Sequence, residues 1–148
     1  TTPRDQWPSH KMHEARSKGL VQQLCARYKV PKDYTELALL VAEYHGHCHK
    51  AFELRPDTIL RLFKNLDAYR RPERFEDFLV ACEADHLGRT GYEDTPYPQA
   101  EFLRRAQRES STIDVGALRE SGLEGTALGN AIEKKRLEII QALDRPNT

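Results

Sequence analysis

Apolar residues recur at steps of three and four along nearly the whole chain, and no stretch alternates with the period of two that a half-buried strand requires. After a loop through Pro3 and Trp7-Pro8, Ser9 stands where an N-cap belongs, for a helix reaching about Tyr28. Its inward stripe reads His10, His13, Ser17, Leu20, Leu24, Tyr28. Pro31 opens a second helix, with Leu37, Val41, Tyr44, Cys48 and Phe52 at helical spacing. Pro56 and Pro72 occupy the first-turn position that proline favours and open a third and a fourth. The third turns Ile59, Leu62, Phe63 and Leu66 inward, and the fourth runs to about Leu87. Gly88 and Gly91 break the pattern, and Thr95-Pro96-Tyr97-Pro98 is a loop before a helix from about Gln99 to Arg108. Ser110-Ser111-Thr112 reads as another break, and Asp114 as the cap of a short helix. Gly122 and Gly125 lead into a last helix carrying Leu128, Ile132, Ile139 and Leu143. The prediction is an all-α fold, a compact bundle of about seven helices.

Composition narrows the class without naming a function. A chain of 148 residues fits one domain, large enough to bury roughly 70% of its unfolded surface. Lys plus Arg number 23 and Asp plus Glu 23, so any RNA contact has to come from a local patch, not from overall charge. Cys25, Cys48 and Cys82 are far apart and form no zinc-ligand spacing, which points to a reduced compartment and a cytoplasmic protein. No apolar run approaches a membrane span and no signal-peptide pattern occurs, so no membrane partner is expected.

Chemistry enters where polar residues interrupt apolar stripes. His10 and His13 begin the stripe of the first helix, and His45 lies four after Val41 and four before His49. His47 points about 200° away from His45 and reads as surface. On the fourth helix Phe75, Phe78, Cys82 and Asp85 follow steps of three, four and three, so Asp85 continues a buried stripe. A carboxylate there is costly unless paired or bound to a cation. Three helices thus each offer one inward ligand, His13, His45 and Asp85, a mixed imidazole and carboxylate set suited to zinc, iron, manganese, nickel or cobalt. The plainer reading stands beside it: an inward His usually bonds to backbone, and Asp85 can pair with Arg89 or Arg71.

Trp7-Pro8-Ser9-His10-Lys11-Met12-His13-Glu14 resembles the H-x-x-H-E stretch that follows the His-Asp dyad of HD-domain phosphohydrolases. Val41-Ala42-Glu43-Tyr44-His45 resembles a later histidine of that superfamily. The string Cys82-Glu83-Ala84-Asp85-His86-Leu87-Gly88-Arg89-Thr90-Gly91 closely resembles a segment of bacterial CCA-adding tRNA nucleotidyltransferases. Supporting stretches are Asp67 to Arg74, Tyr97-Pro98-Gln99 and Gly122 to Gly125. The similarity covers essentially the whole chain.

The resemblance implies that residues 1–148 form one HD-like helical tail domain, truncated at its N-terminus, with the nucleotidyltransferase head and the His-Asp dyad absent. In such a family the head uses magnesium, CTP and ATP to add CCA to tRNA. The HD tail uses nickel, manganese, cobalt or a similar divalent ion as phosphatase, 2′-nucleotidase and 2′,3′-cyclic phosphodiesterase. It assigns Asp85, His13 and His45, with His10 as a weaker candidate, to the metal site. Without the dyad, metal binding by this chain is expected to be weak or absent, and hydrolysis and CCA addition absent. Arg89 suits a phosphate, since guanidinium geometry matches its oxygens, or equally a structural partner for Asp85 or Glu83. Glu14 can orient His13 or simply be solvated at the helix start. The alternative is a non-catalytic tRNA-binding or homodimerising module, with Lys11, Arg16 and Lys18, or Arg70, Arg71 and Arg74, on backbone phosphates.

Overall fold

The computed structural model describes residues 13–145, with side chains in the first helix described from residue 16 onward. Among these residues there are seven helices and no strand, as the periodicity predicts. They are α1 (His13–Arg27), α2 (Lys32–His49), α3 (Pro56–Asn65), α4 (Pro72–Leu87), α5 (Pro98–Ser111), α6 (Val115–Glu120) and α7 (Gly125–Ala142).

Proline sets most of the starts. Pro56, Pro72 and Pro98 each occupy the first turn of a helix, where a missing N–H costs nothing. Arg55, before Pro56, is extended at φ −67°, ψ 150°, as the proline ring requires of its predecessor. Asp114 caps α6 by accepting the Ala117 N–H at 2.9 Å.

The core gathers Ile59, Leu62, Phe63 and Leu66 of α3 and its end, Phe75, Phe78 and Leu79 of α4, Leu103 of α5 and Ile140 of α7. Phe63 meets Phe75 edge-on at 5.4 Å and Tyr69 at 5.9 Å, geometries that aromatic quadrupoles favour. In packing order, α1 lies on α2, α2 on α4, α5 and α3 on α7.

Two expectations need correction. The break expected at Ser110-Ser111-Thr112 comes about two residues later, at 112–114: α5 continues to Ser111 with Thr112 as its C-cap, the Ser110 hydroxyl returning to the Ala106 carbonyl at 2.6 Å instead of competing for a turn. The stripe of α1 is rotated by about one residue. Cys25 is buried and Ser17 and Val21 half-buried, whereas Leu20, Leu24 and Tyr28 are 52, 56 and 64% exposed. Apolar side chains occur on both arcs of this helix, and α2 covers the arc with the smaller ones.

Candidate functional site

The polar site forms where the last turns of α2 and α4 meet the start of α5. His45 and His49 are four residues apart on α2 and so share a face, their rings 5.7 Å apart. His45 Nδ1 donates to the Val41 carbonyl at 2.8 Å. In the neutral ring this fixes the proton on Nδ1 and makes Nε2 the lone-pair nitrogen, the form a metal or a proton donor would meet.

His49 lies at the centre of a chain of bonds. Its Nε2 is 2.9 Å from Asp85 Oδ2 and its Nδ1 is 2.8 Å from the Tyr97 hydroxyl. An ionised Asp85 only accepts, so Nε2–H donates to it and the Tyr97 O–H donates to Nδ1. Arg89 Nη2 donates to the same Asp85 oxygen at 3.1 Å and stands 3.4 Å from His49 Nε2, a neighbour rather than a partner once that nitrogen carries its proton. His86 stacks on the Tyr97 ring at 4.8 Å and meets Tyr92 edge-on.

Electrostatics follow from this arrangement. Burial pushes the His49 imidazole down, against the opposing hydrogen bond to Asp85, with Arg89 adding to the downward shift. Burial works to raise the Asp85 carboxyl, but hydrogen bonds from His49 and Arg89 outweigh it and hold the group below the usual carboxylate range. Burial pushes the Tyr97 phenol up, which keeps its hydroxyl a donor. Beneath the site Cys48 and Cys82 are fully buried, and the Cys82 thiol is pushed up by its hydrogen bond with Cys48 and by burial.

Asp85 is not the buried carboxylate that its stripe predicts. Its side chain is 47% exposed, because the apolar cover of α4 ends at Cys82 and the last turn projects beyond it. Of the two roles open to Arg89, the structure shows the ion pair with Asp85. Lys18 is tied to Glu43, joining α1 to α2. Arg70 pairs with Asp67, Arg71 and Arg74 with Glu36, so these cations already have acidic partners within the fold. Arg16 is half-buried. His10, Lys11 and the side chains of His13 and Glu14 lie outside the described residues.

A groove of about 710 Å³ runs between α1, α2 and α4, apolar along Val21, Cys25, Leu37 and Val41 and ending at His45 and Asp85. Ser17, one turn after His13, lines it too. Two of the three expected ligands therefore share one end of one groove. Among the described residues, however, no three His, Cys, Asp or Glu groups come close enough to hold a metal ion. His49 and Tyr97 are the members that periodicity did not single out, although His49 is legible as the next turn of the face that carries His45.

The chain is 52% identical over 143 residues to the multifunctional CCA protein of Thioalkalivibrio sulfidiphilus, and 51% identical over 139 residues to that of Alcanivorax borkumensis. Over nearly its whole length, the chain is similar to part of these multifunctional CCA proteins. A third relative so named, from Hahella chejuensis, is 46% identical over 146 residues, and the three alignments cover 97, 94 and 99% of this chain. They cover 35, 34 and 35% of the relatives, so the chain spans about a third of the length of the CCA proteins it matches. No family model and no solved structure matches it. Among the described residues, no helix is long and apolar enough to cross a membrane.

Proposed function

We propose that this chain is the HD-type tail of a CCA-adding tRNA nucleotidyltransferase, a polypeptide that extends tRNA 3′ ends from CTP and ATP through a magnesium-dependent head outside this stretch. The observation that carries the reading is the likeness to multifunctional CCA proteins over nearly the whole chain. Within the tail, His13, His45 and Asp85 are the share of a divalent metal site that this chain contributes, and the missing dyad supplies the remainder. The convergence of His45 and Asp85 on one groove end supports this, as does the Nδ1 bond that leaves His45 Nε2 as the lone-pair nitrogen. When bound, such an ion would supply a water nucleophile at neutral pH and charge for phosphoryl oxygens.

The test compares this chain with a longer protein that restores the preceding His-Asp pair, under nickel, manganese or cobalt, on a 2′,3′-cyclic nucleotide. The longer protein should hydrolyse the substrate and lose at least about 100-fold on His45→Ala, the usual scale for loss of a metal-site group. The chain alone should stay at the level of its His13→Ala control. Hydrolysis by the longer protein that survives both substitutions would overturn the reading.

One observation favours a second reading, a non-catalytic packing or dimerisation module: Leu20, Leu24 and Tyr28 line an exposed face of α1. Sedimentation of the chain at rising concentration tests it. A single monomeric species throughout, unchanged in Leu24→Gln, would count against it.

A further inference from the structure

A second cavity, of about 500 Å³, lies on the other side of His45, between the end of α2 and Arg89. Its polar wall is His47, His49, Lys50 and Arg89, and its apolar wall is Leu54. Lys50 and Arg89 are fixed cations, and Asp85 is the carboxylate paired with the second of them. The C-terminal end of α2 carries partial negative charge, which the two cations must outweigh; Gly46 and Cys48 there accept the N–H groups of Lys50 and Ala51, at 3.3 and 3.1 Å. His49 is held from both sides by Asp85 and Tyr97, so one wall of the cavity is rigid. The Arg89 side chain is 53% exposed and bonded to Asp85 through one Nη, which leaves the rest of its fork to face the cavity.

We infer that this cavity is a phosphomonoester subsite, in which Arg89 and Lys50 hold the terminal phosphate of a nucleotide and Leu54 packs against its nucleoside. Guanidinium and ammonium together match a dianion in charge, and the planar fork matches two of its oxygens. The volume falls in the range of small-molecule sites, roughly 300 to 1,000 Å³. Asp85 then acts as a placeholder: it orients Arg89 while the cavity is empty and competes with the phosphate for it. The inference rests on the phosphohydrolase reading for its biological sense, but its test needs no metal and no turnover.

The experiment titrates this chain, in excess chelator, with adenosine 5′-monophosphate, inorganic phosphate and adenosine, following the amide resonances of residues 45–50 and 89. Adenosine 5′-monophosphate should shift these resonances and saturate, inorganic phosphate should shift the same ones more weakly, and adenosine should leave them in place. Arg89→Ala should weaken nucleotide binding about tenfold and Lys50→Gln by less, the scale of one charge-assisted contact. Asp85→Asn should strengthen it, since it removes both the competitor and a negative charge. Adenosine binding as tightly as the nucleotide, or Arg89→Ala and Lys50→Gln both binding like the parent chain, would overturn the proposal. Equal affinity for phosphate and nucleotide would overturn the role of Leu54. Because chelator removes the metal, loss of cyclic-phosphate hydrolysis in the longer protein and loss of this binding are separate failures.

Discussion

Ser110 is fully buried, and its hydroxyl has two clear partners: it donates to the Ala106 carbonyl at 2.6 Å and accepts from the Tyr69 hydroxyl at 2.9 Å. The Arg136 guanidinium lies 3.5 Å over the Tyr69 ring, so one serine positions a tyrosine that ties α5 to α7. Ser110→Val would leave the half-buried Tyr69 hydroxyl without an acceptor, at about 1–3 kcal/mol. A lower urea midpoint with unchanged slope is the expected result. A quite different residue effect belongs to Glu76, which receives two bonds from Arg104, at 2.8 and 2.6 Å, across the α4–α5 seam. The hydrogen bonds from Arg104 hold this carboxyl below its ordinary value of 4.5. Its contribution is therefore complete above pH 4.5 and is lost as pH falls through the depressed value. The side chain is 45% exposed, so the pair is worth only about 0.5–1 kcal/mol. Glu76→Gln should lower the melting temperature at pH 7, and the gap should close on acidification below pH 4.5. At this scale the sequence misleads in a specific way: serine favours turns on average, and only its buried partner reveals why Ser110 stays helical.

Three helix ends share one stop. The N–H of Val30 returns to Cys25, that of Ala68 to Phe63 and that of Leu123 to Leu118, and in each the preceding N–H makes an inner bond to the carbonyl three residues before it. This is the Schellman arrangement, which places the intervening residue in the left-handed region. Those residues are Lys29 at φ 50°, Asp67 at φ 55° and Gly122 at φ 84°. Only Gly122 takes that conformation without a steric cost from Cβ; Asp67 is helped by its polar side chain, and Lys29 has no such help. Lys29→Gly should therefore stabilise the chain by about 0.5–1 kcal/mol, and Gly122→Ala should destabilise it by about 1 kcal/mol. Thermal melts of the two variants, with opposite signs, check this. A loss of stability in Lys29→Gly would show that the loop after α1 is held by contacts other than its backbone. Proline starts were legible in the sequence, since proline has one place in a helix. Two of the three stops were not, because the geometry that calls for glycine is filled by lysine and aspartate. The face of α1 was not legible either. Leu20, Leu24 and Tyr28 form a better apolar stripe than Ser17, Val21 and Cys25, yet the poorer stripe is the one that packs.

Across the whole molecule, α3, α4, α5 and α7 enclose the buried core, and α1 stands apart, packed on α2 with one arc open. Among the described residues its fastenings include the buried Cys25, the half-buried Val21, the turn through Val30 and the Lys18–Glu43 ion pair, both partners of which are more than a third exposed. A helix at the edge of the fold with one arc uncovered should open at a lower free energy than the core. Hydrogen exchange should show it: amides of α1 should exchange well before those of α4 and α5, and through openings short of global unfolding. The consequence reaches the proposed site, since His45 and Asp85 sit on well-packed helices while His13 rides on the loosely held one. Ordering α1 consumes part of any metal-binding energy, so this chain should bind a divalent ion weakly even where its ligands are correct. Were further chain in a longer protein to cover Leu20, Leu24 and Tyr28, α1 should exchange as slowly as α4 and metal affinity should rise with it. Equal protection of α1 in the two proteins, with a rise in metal affinity all the same, would separate the helix from the proposed metal site.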